Sequence, residues 1–211
     1  MGTKKPTKTT IKDQVYEYIK ELILSQKYGL GEKINIDTLA ADLKVSNSPI
    51  REALMMLEKQ GLVENIPNVG SRIISFSPDA YREICASLLI IVTGAYDLCI
   101  HQNTIDIAIE NMRQHLHLQK EAIDSSDMHT SIKYALAFDK SIVSATKNKY
   151  LLSIYEQMED IFFLMALHSH QRDKEEHIQN IHEHLMILES IEKNDPDAVR
   201  KWLFIHYDKH I

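Results

Sequence analysis

The chain has 211 residues, with 24 Lys plus Arg, 30 Asp plus Glu, 44% apolar and 7% aromatic side chains, a balance that excludes disorder, collagen-like repetition and a secreted disulfide scaffold. Cys85 and Cys99 are its only cysteines, too few for a four-thiolate zinc site and most simply accommodated in a reducing, cytoplasmic setting. The most apolar stretch, 84–100, is broken by Gly94 and Asp97 and is shorter than the roughly 20 residues of a membrane span, and residues 1–5 lack the apolar core of a signal peptide, so no membrane partner is expected.

Charge and punctuation divide the chain in two. There are 11 basic and 9 acidic residues up to Ser75, net +2, against 13 and 21 after it, net −8. Gly29, Gly31, Pro49, Gly61, Pro67 and Gly70 crowd the first part, whereas only Pro78, Gly94 and Pro196 interrupt the second. The expected organisation is a short Lys/Thr-rich arm over 1–10, a small mixed module over 11–75 and an all-helical domain over 76–211.

In the first module, Ile11, Val15, Ile19, Leu22 and Ile23 recur at helical spacing over 11–25, and the Tyr28-Gly29-Leu30-Gly31 turn ends that helix. A short helix over 37–43 follows, and Lys44-Val45-Ser46 turns the chain. Ser46-Asn47-Ser48-Pro49 then opens a third helix, with either serine able to cap it and Pro49 in its first turn. That helix turns Ile50, Leu54, Leu57 and Leu62 inward and leaves Asn47, Ser48 and Arg51 at its outer N-terminal end. Strand-like pieces at 62–65 and 71–75 flank Pro67-Asn68-Val69-Gly70, a hairpin turn. Helix, helix, tight turn, helix, hairpin is the order of a winged helix-turn-helix, whose third helix enters the major groove of duplex DNA.

The run from Leu30 to Gly70, with its Ser-x-x-Pro-Ile-Arg-Glu-Ala-Leu core and closing Gly-Leu-Val, resembles the GntR family of bacterial transcription regulators. The resemblance implies operator DNA as partner, with Ser46, Asn47, Ser48 and Arg51 on the recognition helix and Asn68, Gly70 and Arg72 on the wing. Arg51 matches the family arginine that reaches a guanine edge or a phosphate, Ser48 a phosphate-binding hydroxyl, and Gly70 the wing-tip glycine. Two family arginines are absent: Asp37 and Asn47 stand in their places. Aspartate repels phosphate and asparagine prefers adenine to guanine, so the half-site differs from the usual guanine-bearing one. The alternative for Arg51 is a surface ion pair with Glu52 or Glu58.

Beyond Ser77-Pro78-Asp79, apolar residues recur at helical spacing over 79–101, 105–124, 128–146, 149–170, 173–193 and 196–210, a helical bundle. The first segment is apolar all round, with Leu88 to Val92 in one run, so one face should meet the bundle and another a partner subunit, giving a homodimer suited to two half-sites.

Among the histidines, His101, His115, His117, His129, His168, His170 and His182 share no ligand spacing and are expected at the surface or at interfaces. His184 and His206 each stand 11 residues from Asp195, in the turn between two helices, and both lie in apolar stripes. Equal distances from a turn bring two side chains of an antiparallel pair to the same height, so the two imidazoles can converge. Asp139 intrudes on the stripe Ile132, Ala135, Leu136, Ile142, Val143, where a carboxylate needs a partner, a hydrogen bond or a cation. Asp139, His184 and His206 could hold zinc, nickel, manganese or iron with open positions, or form a buried hydrogen-bonded network with no ion.

Residues 137–148, 183–191 and 194–206 resemble the FCD effector domain of the FadR-type branch of GntR regulators. The resemblance implies a divalent metal held by Asp and His one turn apart plus two later histidines, and a small carboxylate effector. His184 and His206 match the later pair. Asp139 stands where the family has its first histidine, Ala135 where it has the acidic ligand, and Leu88 where it has a pocket arginine, which implies a weaker metal site or a larger, more apolar effector. No Glu-x-x-His pair, HExxH motif, Ser/His/Asp order or glycine-rich phosphate loop points to an enzyme. A metal-dependent helical enzyme and a regulator-derived interaction module with degenerate sites are the competing readings.

Overall fold

A computed structural model describes residues 10–169 and 174–208. Most of the N-terminal arm and His170 lie outside the described residues. The chain divides into two compact units, the first ending at Ser75 and the second beginning at Phe76.

The first unit contains α1 (Ile11–Leu24), α2 (Ile36–Leu43), α3 (Asn47–Lys59), β1 (Val63–Ile66) and β2 (Gly70–Ile73). Thr10 opens α1 with a capping box, its hydroxyl accepting from Asp13 N (3.2 Å) while Asp13 Oδ2 accepts from Thr10 N (3.1 Å). Val15, Tyr16, Ile19 and Ile23 bury the inner stripe of α1, but Ile11, expected in that stripe, is 60% exposed, because it is the first helical residue and the buried run starts one turn later. Lys44 caps the C-terminus of α2 in the left-handed region, φ 55°. Ser46, not Ser48, occupies the N-cap of α3, though its side chain makes no capping hydrogen bond.

The hairpin register, Val63↔Ile73 to Ile66↔Gly70, is displaced by a residue or more from the expected strand bounds. Its turn explains the difference. Pro67 and Asn68 (φ 64°) fill the central positions, closed by Val69 N–H to Ile66 O at 3.0 Å, as in a type II turn. Gly70 then takes φ 105°, open to glycine but not to a side chain. A pairing absent from the sequence reading joins the wing to the body: Ile34 N donates to Ser71 O (2.9 Å) and Ile73 N to Glu32 O (2.9 Å).

The second unit is α4 (Pro78–Gln102), α5 (Ile105–Asp124), α6 (Met128–Ala145), α7 (Lys149–Ser169), α8 (Lys174–Glu192) and α9 (Pro196–Asp208). Asn103, Ser126, Lys147 and Asn194 adopt positive φ in the short joints between helices. By length and composition α4 could cross a membrane, yet it is a bundle helix whose Cys85, Leu88, Val92, Ala95, Tyr96 and Cys99 are fully buried against the other helices. Its opposite side leaves Ile90 73% exposed.

Asp127 caps α6, its Oδ1 accepting from Thr130 N at 3.0 Å, and these hydrogen bonds hold its carboxyl below the usual 3.8. A lowered carboxyl contributes stability above its unfolded pKa and loses it as pH falls through the folded one. Asp127→Ala should therefore cost about 1 kcal/mol at neutral pH in urea unfolding, with the gap closing as the pH is taken below 3.8.

Candidate metal centre and nucleic-acid interface

In the first unit, the exposed Ser46 stands at the N-cap of α3, which opens with the exposed Asn47 and Ser48 and carries the exposed Arg51 one turn later. Arg51 makes no ion pair or hydrogen bond among the described residues, so the expected alternative, pairing with Glu52 or Glu58, is not what the structure shows. Ser48 Oγ donates to Glu52 Oε1 at 3.3 Å. The two positions that lack family arginines meet: Asn47 Nδ2 donates to Asp37 Oδ1 at 2.9 Å. On the wing, Asn68 and Gly70 are exposed at the tip. Arg72 is half-buried, and its Nη1 donates to Gly31 O at 3.3 Å, so part of its guanidinium is used within the unit.

In the second unit, α6, α8 and α9 bring Asp139, His184 and His206 together. All three are buried, and one ligating atom from each lies within 4.8 Å of the others. The imidazole rings of His184 and His206 are 4.8 Å apart, and His206 Nε2 is 3.5 Å from Asp139 Oδ2. Phe138 stacks on His184 at 4.2 Å.

The surrounding hydrogen bonds set the ring orientations. Gln119 Nε2 donates to Asn180 Oδ1 (2.7 Å), which leaves Gln119 Oε1 to accept from His184 Nδ1 (2.9 Å). His206 Nδ1 donates to Glu183 Oε2 at 3.0 Å. With each Nδ1 donating to an acceptor outside the trio, Nε2 is the atom through which either ring would hold a cation, as in ligating histidines backed by an acceptor. Tyr207 Oη donates to Asp139 Oδ2 (2.8 Å), while Asp139 Oδ1 is buried with no hydrogen-bond partner among the described residues. Burial pushes the Asp139 carboxyl up, but the hydrogen bond and charge of His206, the charge of His184 and the Tyr207 hydroxyl outweigh it and hold the group below 3.8. An anionic oxygen without a donor beside two oriented imidazoles fits a divalent cation.

Asp139 and His206 form part of the wall of a cavity of about 440 Å³. Tyr81, Ile132, Leu136 and Phe162 make an apolar side, with the Tyr81 and Phe162 rings stacked at 5.3 Å, and His177, Gln179 and Asn180 of α8 make a polar one. Ala135 lines this cavity one turn before Asp139. Leu88, expected at the position of a pocket arginine, lies in the bundle core instead, and Tyr81 is the α4 residue that lines the cavity. No Lys or Arg lines it among the described residues.

Sequence reasoning missed Gln119, Glu183, Tyr207 and the buried His177, whose Nδ1 is 3.3 Å from Ser131 Oγ. Gln119 follows Met112 and Leu116 in the buried stripe of α5, and His177 shares a stripe with Ile181 and His184, so the test that exposed Asp139 would have found both. Of the seven histidines expected outside the site, His101, His117, His129, His168 and His182 are exposed and His115 is half-buried.

Residues 11–73 match the family described as bacterial regulatory proteins, gntR family, and residues 94–209, more than half the chain, match the FCD domain. The HTH-type transcriptional regulator YdhC of Bacillus subtilis (strain 168) is 27% identical over 92% of this chain and 87% of its own length. The gluconate operon transcriptional repressor of Bacillus licheniformis is 24% identical over 88% of this chain and 77% of its own. A GntR regulator structure from Rhodococcus sp. RHA1 shares the fold at TM-score 0.80, with 14% identity and 94% of each chain covered. The chain belongs to the gntR family of bacterial regulatory proteins and carries an FCD domain: it is a DNA-binding transcriptional regulator with a C-terminal effector-binding domain, not an enzyme.

Proposed function

We propose that this regulator binds a two-fold operator in the cytoplasm as a homodimer, and that its second unit senses a small-molecule effector beside a divalent metal held by Asp139, His184 and His206. On DNA, the Ser46 and Ser48 hydroxyls and the Arg51 guanidinium are placed to meet phosphates and a base edge from the first turns of α3, with Asn47 among them. Asn68 and Gly70 at the wing tip meet the backbone or minor groove, and Arg72 has fewer donors left to contribute. The apolar outer side of α4 around Ile90 supports a subunit contact.

The observation that carries the metal reading is Asp139 Oδ1, buried and without a donor next to two imidazoles whose Nδ1 atoms are engaged elsewhere. When bound, zinc, nickel, manganese or iron would supply a Lewis-acidic cation with open positions for oxygen donors of the effector. A carboxylate effector would have to bind through that cation, since the described cavity wall has no cationic side chain of its own and includes Glu175 and Glu176; the relative named for a gluconate operon motivates that chemistry. Tyr81, Phe162, Ile132 and Leu136 would hold an apolar body. The effector acts by binding more tightly to one of the two DNA-affinity states.

Elemental analysis of tag-free protein purified without chelator tests the metal. About one equivalent per chain is expected in the wild type, and none in the His184→Ala, His206→Ala double variant. Absence of metal from both would make Asp139, His184 and His206 a buried hydrogen-bonded network with no ion, and the effector search would move to metal-free ligands.

A further inference from the structure

The Asp37–Asn47 hydrogen bond deepens the DNA-binding reading, on which it rests. Asn47 is the first residue of α3 and is exposed, and residues at the N-terminal end of a recognition helix are those set against base edges in the major groove. Asp37 sits in the first turn of α2 and accepts from Asn47 Nδ2 at 2.9 Å.

An ionised carboxylate can only accept, so Asp37 dictates which end of the Asn47 amide turns toward it: the nitrogen. That nitrogen has two hydrogens. With one engaged by Asp37, the second hydrogen and Oδ1 remain as an adjacent donor and acceptor. Adenine presents the matching pair in the major groove, N7 as acceptor and the N6 amino group as donor. Guanine presents two acceptors, N7 and O6, and would set O6 against Oδ1. Asp37 and Glu52 add negative charge near the same surface and disfavour guanine's acceptors further. We infer that Asp37 is a positioning residue that locks the Asn47 amide in the adenine-reading orientation, and that this pair determines the specificity of the half-site. The arrangement trades affinity for discrimination, because the Asp37 charge repels the phosphates of every sequence alike.

The test is selection of duplex DNA from a random pool by the full-length protein, followed by competition binding with each base of the enriched site replaced in turn. The position read by Asn47 is the one whose preference Asn47→Ala abolishes. The wild type should require adenine there by about tenfold or more over the other bases. Asp37→Ala should shrink that preference to about twofold while overall affinity holds or rises, since a charge repelling phosphate is gone. Asp37→Asn, whose side-chain oxygen still accepts, should restore the adenine preference. A purely structural role for Asp37 would weaken all sequences together and leave base preference unchanged; circular dichroism of each variant checks the fold.

Guanine at that position in the wild-type site overturns the inference while DNA binding stands. So does a preference that survives Asp37→Ala, or an Asn47→Ala variant that alters no position. If the wild type enriches no sequence, the DNA-binding reading itself fails and takes this inference with it.

Discussion

His206→Ala should destabilise the second unit by about 2–5 kcal/mol, because two buried carboxylates each lose their imidazole partner at about 1–3 kcal/mol apiece. Asp139 is 2% exposed and Glu183 1%, and His206 stands between them, with Nδ1 3.0 Å from Glu183 and Nε2 3.5 Å from Asp139. Alanine would leave two buried carboxylates across an empty space. The single tryptophan of the chain, Trp202, lies in α9 with its ring edge-on to His182 at 5.8 Å, so its fluorescence in urea reads the unfolding of this unit without the first. Tyr207→Phe removes only the hydroxyl donor to Asp139 Oδ2 and should cost about 1–3 kcal/mol. The sign of the pH dependence follows from Asp139, whose carboxyl its partners hold below 3.8. Stability from that pairing is present above 3.8 and lost as the pH falls through the lower folded value. The difference between wild type and His206→Ala should thus be greatest near neutrality and narrow in acid. A loss under about 1 kcal/mol at neutral pH would mean that water or a proton already compensates these groups.

The centre of this site was legible because it breaks a pattern. Asp139 interrupts an apolar stripe, and His184 and His206 lie equally far from the Asp195 turn; the structure brings their rings to 4.8 Å. The partners that orient those rings were harder to read. Glu183 adjoins His184 on α8, and only the approach of α9 makes it an inward residue, a tertiary fact that helical period does not contain. Tyr207 is hidden in the same way by its neighbour His206. In the first unit the order of elements was plain, but the hairpin register depended on Pro67 and Asn68 forming a type II turn rather than on the apolar pattern of its short strands. Asp37 and Asn47 each read as a lost cation when taken singly. Their ten-residue separation spans the helix-turn-helix corner, and only the fold shows that the two replacements are one hydrogen-bonded unit.

On the proposed reading Arg51 is the cation in the first turns of α3 that meets DNA, so Arg51→Ala should weaken operator binding by about 1–3 kcal/mol per half-site. In a two-fold complex the loss counts twice, about 2–6 kcal/mol in all. Fluorescence anisotropy with a labelled operator duplex at several salt concentrations measures it, and the slope of log affinity against log salt separates the two chemistries open to a guanidinium. A phosphate contact would weaken all sequences alike and reduce the magnitude of that slope by about 1 for each arginine lost. A bidentate contact to guanine O6 and N7 would instead erase discrimination at one base pair. The surface around Arg51 favours a large effect of either kind. Asp37 and Glu52 are acidic, Asn47 is neutral, and no neighbouring ion pair among the described residues holds the guanidinium back. Unchanged affinity in Arg51→Ala would move the DNA contacts off the first turns of α3, and with them the placement of Asn47 against a base edge.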